Sequence, residues 1–293
     1  MGSWTTNADM PHGEYNQGAI GYDGKIYIVG GNDGSVFTGA IISYDPNNNT
    51  YDQSLSSMSV GRDYAAVGVK SGIIYVAGGT NSSGYITSCE KYNIGTGIWS
   101  SMNSLPATVI HGRGAIYGDY FYVFGNSKVY KYDINGNSWS TSNTDTTALD
   151  NPVVEAVGDY IWVIGGGTYK RKVRKYNPAT DSWISGTYTD APFDVYYTAS
   201  CAHGTKIYMA GSNSSPQNAF KSYNTSNDTW DNTLPNMTTG RYGCAGAAVN
   251  DNFYVLGGVN GGFLKTNESY DLPTLSTTNP GGDINPYKTR IRG

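Results

Sequence analysis

The stretch Lys25–Gly31 (KIYIVGG) is a short apolar segment closed by two glycines, and it returns five times along this 293-residue chain. The returns are Ile74–Gly79 (IYVAGG), Phe121–Gly125 (FYVFG), Ile161–Gly166 (IWVIGG), Ile207–Gly211 (IYMAG) and Phe253–Gly258 (FYVLGG). The first glycines stand at 30, 78, 125, 165, 211 and 257, in steps of 48, 47, 40, 46 and 46 residues. Length alone would suggest two domains, but a period of this size demands units that stack into one body.

Each repeat lays out as four strands. In the second, Tyr64–Val69 is small and apolar and suits a crowded inner strand, and Ile73–Gly79 is the second strand. Thr80–Gly84 is a polar loop, Tyr85–Tyr92 the third strand, and Ile98–Ser101, with Trp99, the outermost. The third strand ends in Tyr followed by Asp or Asn: Tyr44-Asp45, Tyr92-Asn93, Tyr132-Asp133, Tyr176-Asn177, Tyr223-Asn224 and Tyr270-Asp271. Seven residues after the first five of these tyrosines stand Tyr51, Trp99, Trp139, Trp183 and Trp230. The spacing reads as a hairpin whose Asp or Asn opens the turn and whose aromatics pack against the next repeat.

In the sixth repeat the corresponding position is Thr277. The missing aromatic is at the other end of the chain. Trp4 lies 23 residues before Tyr27, where the equivalent gaps are 24, 23, 23, 25 and 24. The strand near Ser3–Thr6 is therefore expected to complete the last repeat, and a unit shared by both termini closes a ring without exposed sheet edges.

The glycine pair after a strand, the Tyr-Asp and the Trp seven residues later resemble the kelch repeat, over residues 3 to about 272. The resemblance implies an all-β fold, a six-bladed β-propeller of four-stranded blades closed by the N-terminal strand. Its blades would span about 14–54, 62–101, 109–141, 150–185, 195–232 and 241–275 plus 3–6, within a single propeller over 1–276, with 277–293 as a tail or linker. Departures are local: Gly125-Asn126 and Gly211-Ser212 replace the pair, Tyr51 replaces a Trp, and the family's Glu two before the Tyr is kept at Glu90 and approximated by Glu268.

Composition narrows the partners. Net charge is −4, so general nucleic-acid affinity is not expected. Charged residues make up 14 %, against about 25 % in an average domain; Asn, Ser, Thr, Gly and 26 tyrosines take their place. There is no apolar run long enough for a membrane span, and MGSWTTNADM lacks the basic start and apolar core of a secretory signal. Cys89, Cys201 and Cys244 are too few and too scattered for a disulfide framework and read as buried small hydrophobes. The polar, uncharged surface favours an extracellular, microbial-surface or virion setting over the cytoplasm, and the expected state is a monomeric propeller.

In such a propeller the loops between second and third strands share one face with the loops that enter each blade. Aligned on the second-strand aromatic, three ranks of residues should ring the mouth of the central channel. The first is Glu14, Arg62, Val109, Leu149, Val195 and Arg241; the second Tyr15, Asp63, Ile110, Asp150, Tyr196 and Tyr242; the third Asn16, Tyr64, His111, Asn151, Tyr197 and Gly243. Glu14, Tyr15, Arg62, Asp63, Tyr64, His111, Arg113, Asp150, Tyr196, Tyr197, Arg241 and Tyr242 are the candidate ligand-binding set: Arg forks suit carboxylates, and Tyr faces suit sugars or peptide side chains. The resemblance implies a second role for Arg62 and Arg241, tying loops to carbonyls.

Weaker candidates are the basic run Tyr169–Tyr176 (YKRKVRKY), read as a solvated third-strand face, and Glu155 on an inner strand, read as a hydrogen-bonded acid or a channel acid–base group. His12, His111 and His203 lie in separate repeats without ligand spacing, so no metal or cofactor is expected. The resemblance implies a non-catalytic recognition module for a protein, peptide or glycan. It leaves open a small-sugar enzyme resembling the kelch-type sialic-acid mutarotases, with Glu14 or Glu155 beside Arg62 and Arg241, and a structural assembly module. The related copper oxidases require a Tyr, two His and a cross-linked Cys that the sequence does not supply together.

Overall fold

The computed structural model describes residues 2–142 and 149–275, so the tail expected over 277–293 lies outside the described residues. Among the described residues every regular element is a β-strand, and the strands form six four-stranded antiparallel sheets and one short two-stranded hairpin. Blade 1 comprises Gly18–Tyr22, Lys25–Val29, Ile41–Asp45 and Thr50–Asp52; blade 2 Ala66–Lys70, Ile73–Ala77, Cys89–Asn93 and Ile98–Met102; blade 3 Arg113–Tyr117, Tyr120–Gly125, Lys128–Asp133 and Ser138–Ser142. Blade 4 comprises Val153–Val157, Tyr160–Ile164, Val173–Asn177 and Ser182–Ile184; blade 5 Ala199–His203, Lys206–Ala210, Phe220–Asn224 and Thr229–Asp231. Blade 6 is Ala245–Val249, Asn252–Leu256 and Asn267–Asp271, and its outer strand is Trp4–Thr6, paired Trp4↔Tyr270, Thr5↔Ser269 and Thr6↔Glu268. The ring closes as the Trp4 spacing required.

The core lies between blades, not within them. Tyr27, Val29 and Ile41 of blade 1 pack on Ile74, Val76 and Tyr92 of blade 2. On the other side of blade 1, Ile26, Ile28 and Tyr44 meet Ala247, Tyr254 and Leu256 of blade 6. Because both faces of a blade are covered, its second strand is apolar and buried after its first residue. The three cysteines are free and buried within these layers.

The outer aromatics do not pack against the following blade. Trp99 sits in the layer between blades 1 and 2, toward the preceding blade. The indole N–H groups of Trp4, Trp99, Trp139 and Trp230 donate to the carbonyls of Pro235 (2.9 Å), Ser56 (2.6 Å), Asn103 (2.7 Å) and Thr189 (2.9 Å). Each acceptor lies in the linker by which the chain enters that same blade, and the linker's carbonyls are what the outer edge covers. The Asp or Asn after each Tyr does open the turn: Asp45 and Asp133 carboxylates accept from the N–H groups of Asn47 and Asn135 at 2.9 Å. Five residues after the Tyr stands Asn49, Gly97, Asn137, Asp181 or Asp228, each at a φ between 46° and 70°. The Tyr hydroxyl donates to this side chain at Asn49, Asn137 and Asp228 (2.7–2.8 Å) and at Asp181.

Two strand limits differ from the sequence reading in ways that matter for the site. Tyr64 precedes the inner strand instead of starting it, because its backbone is left-handed (φ 53°) and cannot join a ladder. Tyr85 is outside the third strand: Thr80–Asn81 and Gly84–Tyr85 form a separate hairpin on the loop face, and the third strand starts at Cys89. The basic run also starts in a loop, with only Val173–Asn177 in the strand. Its charges are engaged: Arg171 on Asp194 (2.8 Å), Lys172 on Asp190 (3.0 Å), and Lys175 over the Tyr160 ring at 4.2 Å.

Candidate functional site

The mouth of the channel is built by backbone first. Gly30 has φ 62°, and a Cβ there would lie 2.4 Å from the Arg62 carbonyl oxygen, so only glycine lets blade 2's entry loop approach this closely. The next N–H, Gly31, donates to that same carbonyl at 2.9 Å. The contact repeats from Gly166 to Val195 (2.9 Å), Ser212 to Arg241 (3.2 Å) and Gly258 to Glu14 (2.7 Å). The glycine pairs are thus couplings between neighbouring blades, not a ligand cradle. Second-rank residues then bridge to the loops on the same face, Tyr15 to Asn32, Asp63 to Thr80 and Tyr242 to Val259.

The third rank is uniform where its side chains are not. Asn16, Tyr64, His111, Asn151, Tyr197 and Gly243 all have φ between 44° and 62°. In this left-handed turn the peptide groups point around the channel axis. Tyr64 N–H donates to Asn16 C=O (3.0 Å), Asn16 to Gly243 (2.8 Å), Gly243 to Tyr197 (2.9 Å) and Asn151 to His111 (3.1 Å).

On that ring the sequence-predicted residues separate into two groups. Arg62 and Arg241 are fully buried beneath the face. Arg62 donates to the carbonyls of Val60, Gly78 and Ser88 and to Glu90 Oε1 (2.7 Å); Arg241 donates to Val255 C=O and Glu268 Oε2 (2.7 Å). Their guanidinium groups tie each blade together and are not presented to a ligand. The grouping of Glu14 or Glu155 with these arginines is therefore not assembled. Glu14 is buried, and that burial, with Asp33 nearby, raises its carboxyl to about 7. Glu155 lines the channel lower down, accepts a 2.7 Å hydrogen bond from Ser200, and is pushed up to about 7 by burial.

Tyr64, His111, Asp150, Tyr196, Tyr197 and Tyr242 do come together. Tyr64 and His111 ring centroids are 3.9 Å apart, and Tyr197 lies 6.0 Å from Tyr64, 6.1 Å from Tyr242 and 4.4 Å from Tyr196. Asp150 links the cluster, bonding His111 Nδ1 at 2.6 Å and accepting from the Tyr196 hydroxyl at 2.9 Å. Burial alone would raise Asp150; these two hydrogen bonds outweigh it and hold its carboxyl below the usual range. Burial and then the Tyr197 hydroxyl push the Tyr64 phenol far up. Asp63, buried beside this cluster, is raised to about 6 by burial, against the pull of Asn16, His111 and Arg113. Tyr15 stacks on Phe263 at 5.2 Å, and its phenol is raised by burial and then by Asp63, Tyr197 and Tyr242.

Sequence reasoning missed Phe263 and Tyr85, which sit on second-to-third-strand loops of unequal length and do not align. Exposure finds them. Val36, Tyr85, Ile110, Tyr169 and Phe263 are 40–58 % exposed, and all five lie on this face, each from a different blade. Ile98, on an outer strand, is the one other large apolar side chain so exposed among the described residues.

Comparison with known proteins agrees with this architecture. The kelch motif family model matches residues 15–53, 61–106 and 240–276. The Kelch-like protein terF of Aspergillus terreus is 29 % identical over 241 residues, covering 72 % of this chain and 52 % of that protein. Kelch-like protein 23 of Mus musculus is 30 % identical over 120 residues, 40 % of this chain and 20 % of its own length. The chain thus spans about half the length of the first relative and a fifth of the second. Among solved structures, that titled "Structure of YjhT" superposes with a TM-score of 0.74 at 17 % identity, over 93 % of this chain and 98 % of the other, a likeness of fold. With three family-model matches, these relatives and six blades of one pattern, the chain carries kelch motifs and resembles the kelch-repeat proteins.

Proposed function

We propose that this propeller is a non-catalytic recognition module that binds a protein or peptide segment through the loop face around the channel mouth. The observation that carries the reading is the five-membered apolar rim, Val36, Tyr85, Ile110, Tyr169 and Phe263, surrounding a Tyr/His/Asp mouth. An exposed apolar ring with polar groups at its centre is what partner surfaces bury, and aromatic residues dominate such contacts energetically. Kelch propellers as a class serve as interaction modules, which accords with it. Tyr faces and an acid at the mouth equally suit a glycan, and that outcome is separated by the test below.

Peptides selected by phage display on the immobilised chain, and in parallel a glycan array, would be titrated against wild type, Phe263→Ala and Tyr85→Ala. Both side chains are exposed, so folding should survive. Selected peptides should bind on the order of tenfold more weakly to each variant. Glycan hits with no peptide hits would move the reading to carbohydrate. Ligands indifferent to both substitutions would remove the loop face from consideration.

A further inference from the structure

Five arginines lie among the described residues, and four are engaged by strong partners: Arg62 by Glu90, Arg241 by Glu268, Arg171 by Asp194, and Arg174 by the Gly165 carbonyl at 2.7 Å. The fifth is Arg113. It opens the inner strand of blade 3 and lines the cavity on the propeller axis. Its one hydrogen bond among the described residues is a long one, Nη1 to Gly112 C=O at 3.4 Å, and no carboxylate stands within ion-pair distance. Asp150 and Asp63 act on it from further off, and Asp150 is already engaged by His111 and Tyr196. A guanidinium keeps its charge at any ordinary pH, so here a fork of five donors stands half-buried in the channel and almost unused.

The surroundings are unfinished in the same way. Gln17 and Thr198 line the same cavity at 5 % and 6 % exposure, and Gln17 Oε1 and Thr198 Oγ1 have no partner among the described residues. In the rank just above, neither carboxamide atom of Asn151 has one. The cavity has a volume of about 120 Å³, and small side chains, Gly18, Ala65, Gly114 and Ala245 among them, leave its axis open. Water could satisfy the amides and the hydroxyl. It could not neutralise the guanidinium, which is partly buried and has no carboxylate paired with it among the described residues. A planar fork, with a hydroxyl donor lining the same cavity, suits the oxygens of a carboxylate or phosphate.

We propose that the propeller axis carries a site for a small oxyanion, a carboxylate or a phosphate, seated on the Arg113 guanidinium with Thr198 as accessory donor. This site lies inside the channel and does not depend on recognition by the rim. The test is isothermal titration calorimetry of the whole chain with sodium phosphate and, separately, sodium succinate, each against sodium chloride at matched ionic strength. One site per chain is expected for at least one anion, weakened on the order of tenfold or more in Arg113→Gln and severalfold in Thr198→Val. Heat with phosphate alone, or with succinate alone, identifies which oxyanion the site prefers. No binding of either up to about 10 mM, or the same affinity in Arg113→Gln, overturns the proposal. Should Arg113→Gln fail to fold, unchanged affinities in Thr198→Val overturn it instead.

Discussion

Arg62→Ala should cost about 3–5 kcal/mol, because it leaves a buried carboxylate and three carbonyls without their donor. Arg62 donates to Val60 (3.1 Å), Gly78 (3.1 Å), Ser88 (2.6 Å) and Glu90 Oε1 (2.7 Å), and it is wholly buried. Glu90 accepts at both oxygens, Oε2 from Ser59 N–H at 2.9 Å and Oε1 from Arg62, so Glu90→Gln loses the charge and one of these acceptors and should cost about 3 kcal/mol. Against a total stability of about 5–15 kcal/mol, either loss is large. The protein itself supplies the compensating pair. In blade 3 the equivalent positions are Val109 and Tyr130, both buried. The double variant Arg62→Val/Glu90→Tyr should therefore lie within about 2 kcal/mol of wild type, since an apolar pair can replace a buried ion pair. Urea unfolding followed by circular dichroism and Trp fluorescence gives the midpoints, with an unchanged slope as the check that the same transition is read. An Arg62→Ala variant within 1 kcal/mol of wild type, taking about 1 kcal/mol as the resolution of the extrapolation, would refute the buttress. A double variant that loses as much as the two single changes summed would refute the replacement argument.

Three further outcomes follow from the same geometry. Trp99→Phe removes the 2.6 Å indole bond to Ser56 and should cost about 1 kcal/mol in urea unfolding, and Trp99→Ala about 3; equal losses would mean that the hydrogen bond, not the ring, carries the contact. Tyr64→Asn places at φ 53° the residue type that blades 1 and 4 already carry and should leave stability within about 1 kcal/mol, whereas Tyr64→Val should lose about 1–3; melting temperatures in the reverse order would contradict the backbone reading. Glu14 and Glu155 are raised by burial from 4.5 to about 7, so the folded state binds more protons between those values and stability falls as pH rises through that window, by up to about 3 kcal/mol for each group. Asp150, held low, costs stability only on further acidification; thermal melts should thus be higher at about pH 5.5 than at about pH 8, with a flatter profile in Glu14→Gln, and a melting temperature that climbs with pH across this range would rule it out.

The ring was legible because its constraints repeat. A glycine where a neighbouring carbonyl sits 2.4 Å from the place of a Cβ, and a Trp at a fixed offset from a Tyr, are demands that each blade makes of its own sequence. Even the closing strand announced itself through Trp4, since an outer strand without its aromatic leaves a gap in the layer between blades. Direction was not legible. That the Trp covers the linker behind it, not the blade ahead, depends on which carbonyls the sheet's outer edge overlies, and no spacing records that. The same limit hid Phe263 and Tyr85. They belong to the rim by exposure and position on a shared face, and loops of unequal length have no register by which to align them.

The arginines show why a ring position is a poor guide to a ligand. The hollow beneath each entry loop is filled differently: Arg62 with Glu90 and Arg241 with Glu268 in blades 2 and 6, but Val109 with Tyr130 in blade 3. In blade 4 the entry residue is the buried Leu149, and the guanidinium comes instead from the strand, Arg174 donating to Gly165. One requirement, filling the hollow and meeting its carbonyls, has several chemical solutions, so arginine there marks packing. The third rank is the opposite case. Its backbone duty, a left-handed turn on the mouth ring, is met without much strain by Asn16, Asn151 and Gly243. Tyr64, His111 and Tyr197 meet it at a cost of about 1–3 kcal/mol each, and these are the three whose rings lie within 3.9–6.2 Å of one another at the centre of the face. Bulky side chains held where the backbone would accept Asn or Gly, and gathered at one point, are explained by what they present there. The residues that fit their backbone position worst are therefore the first to substitute when the proposed recognition surface is tested.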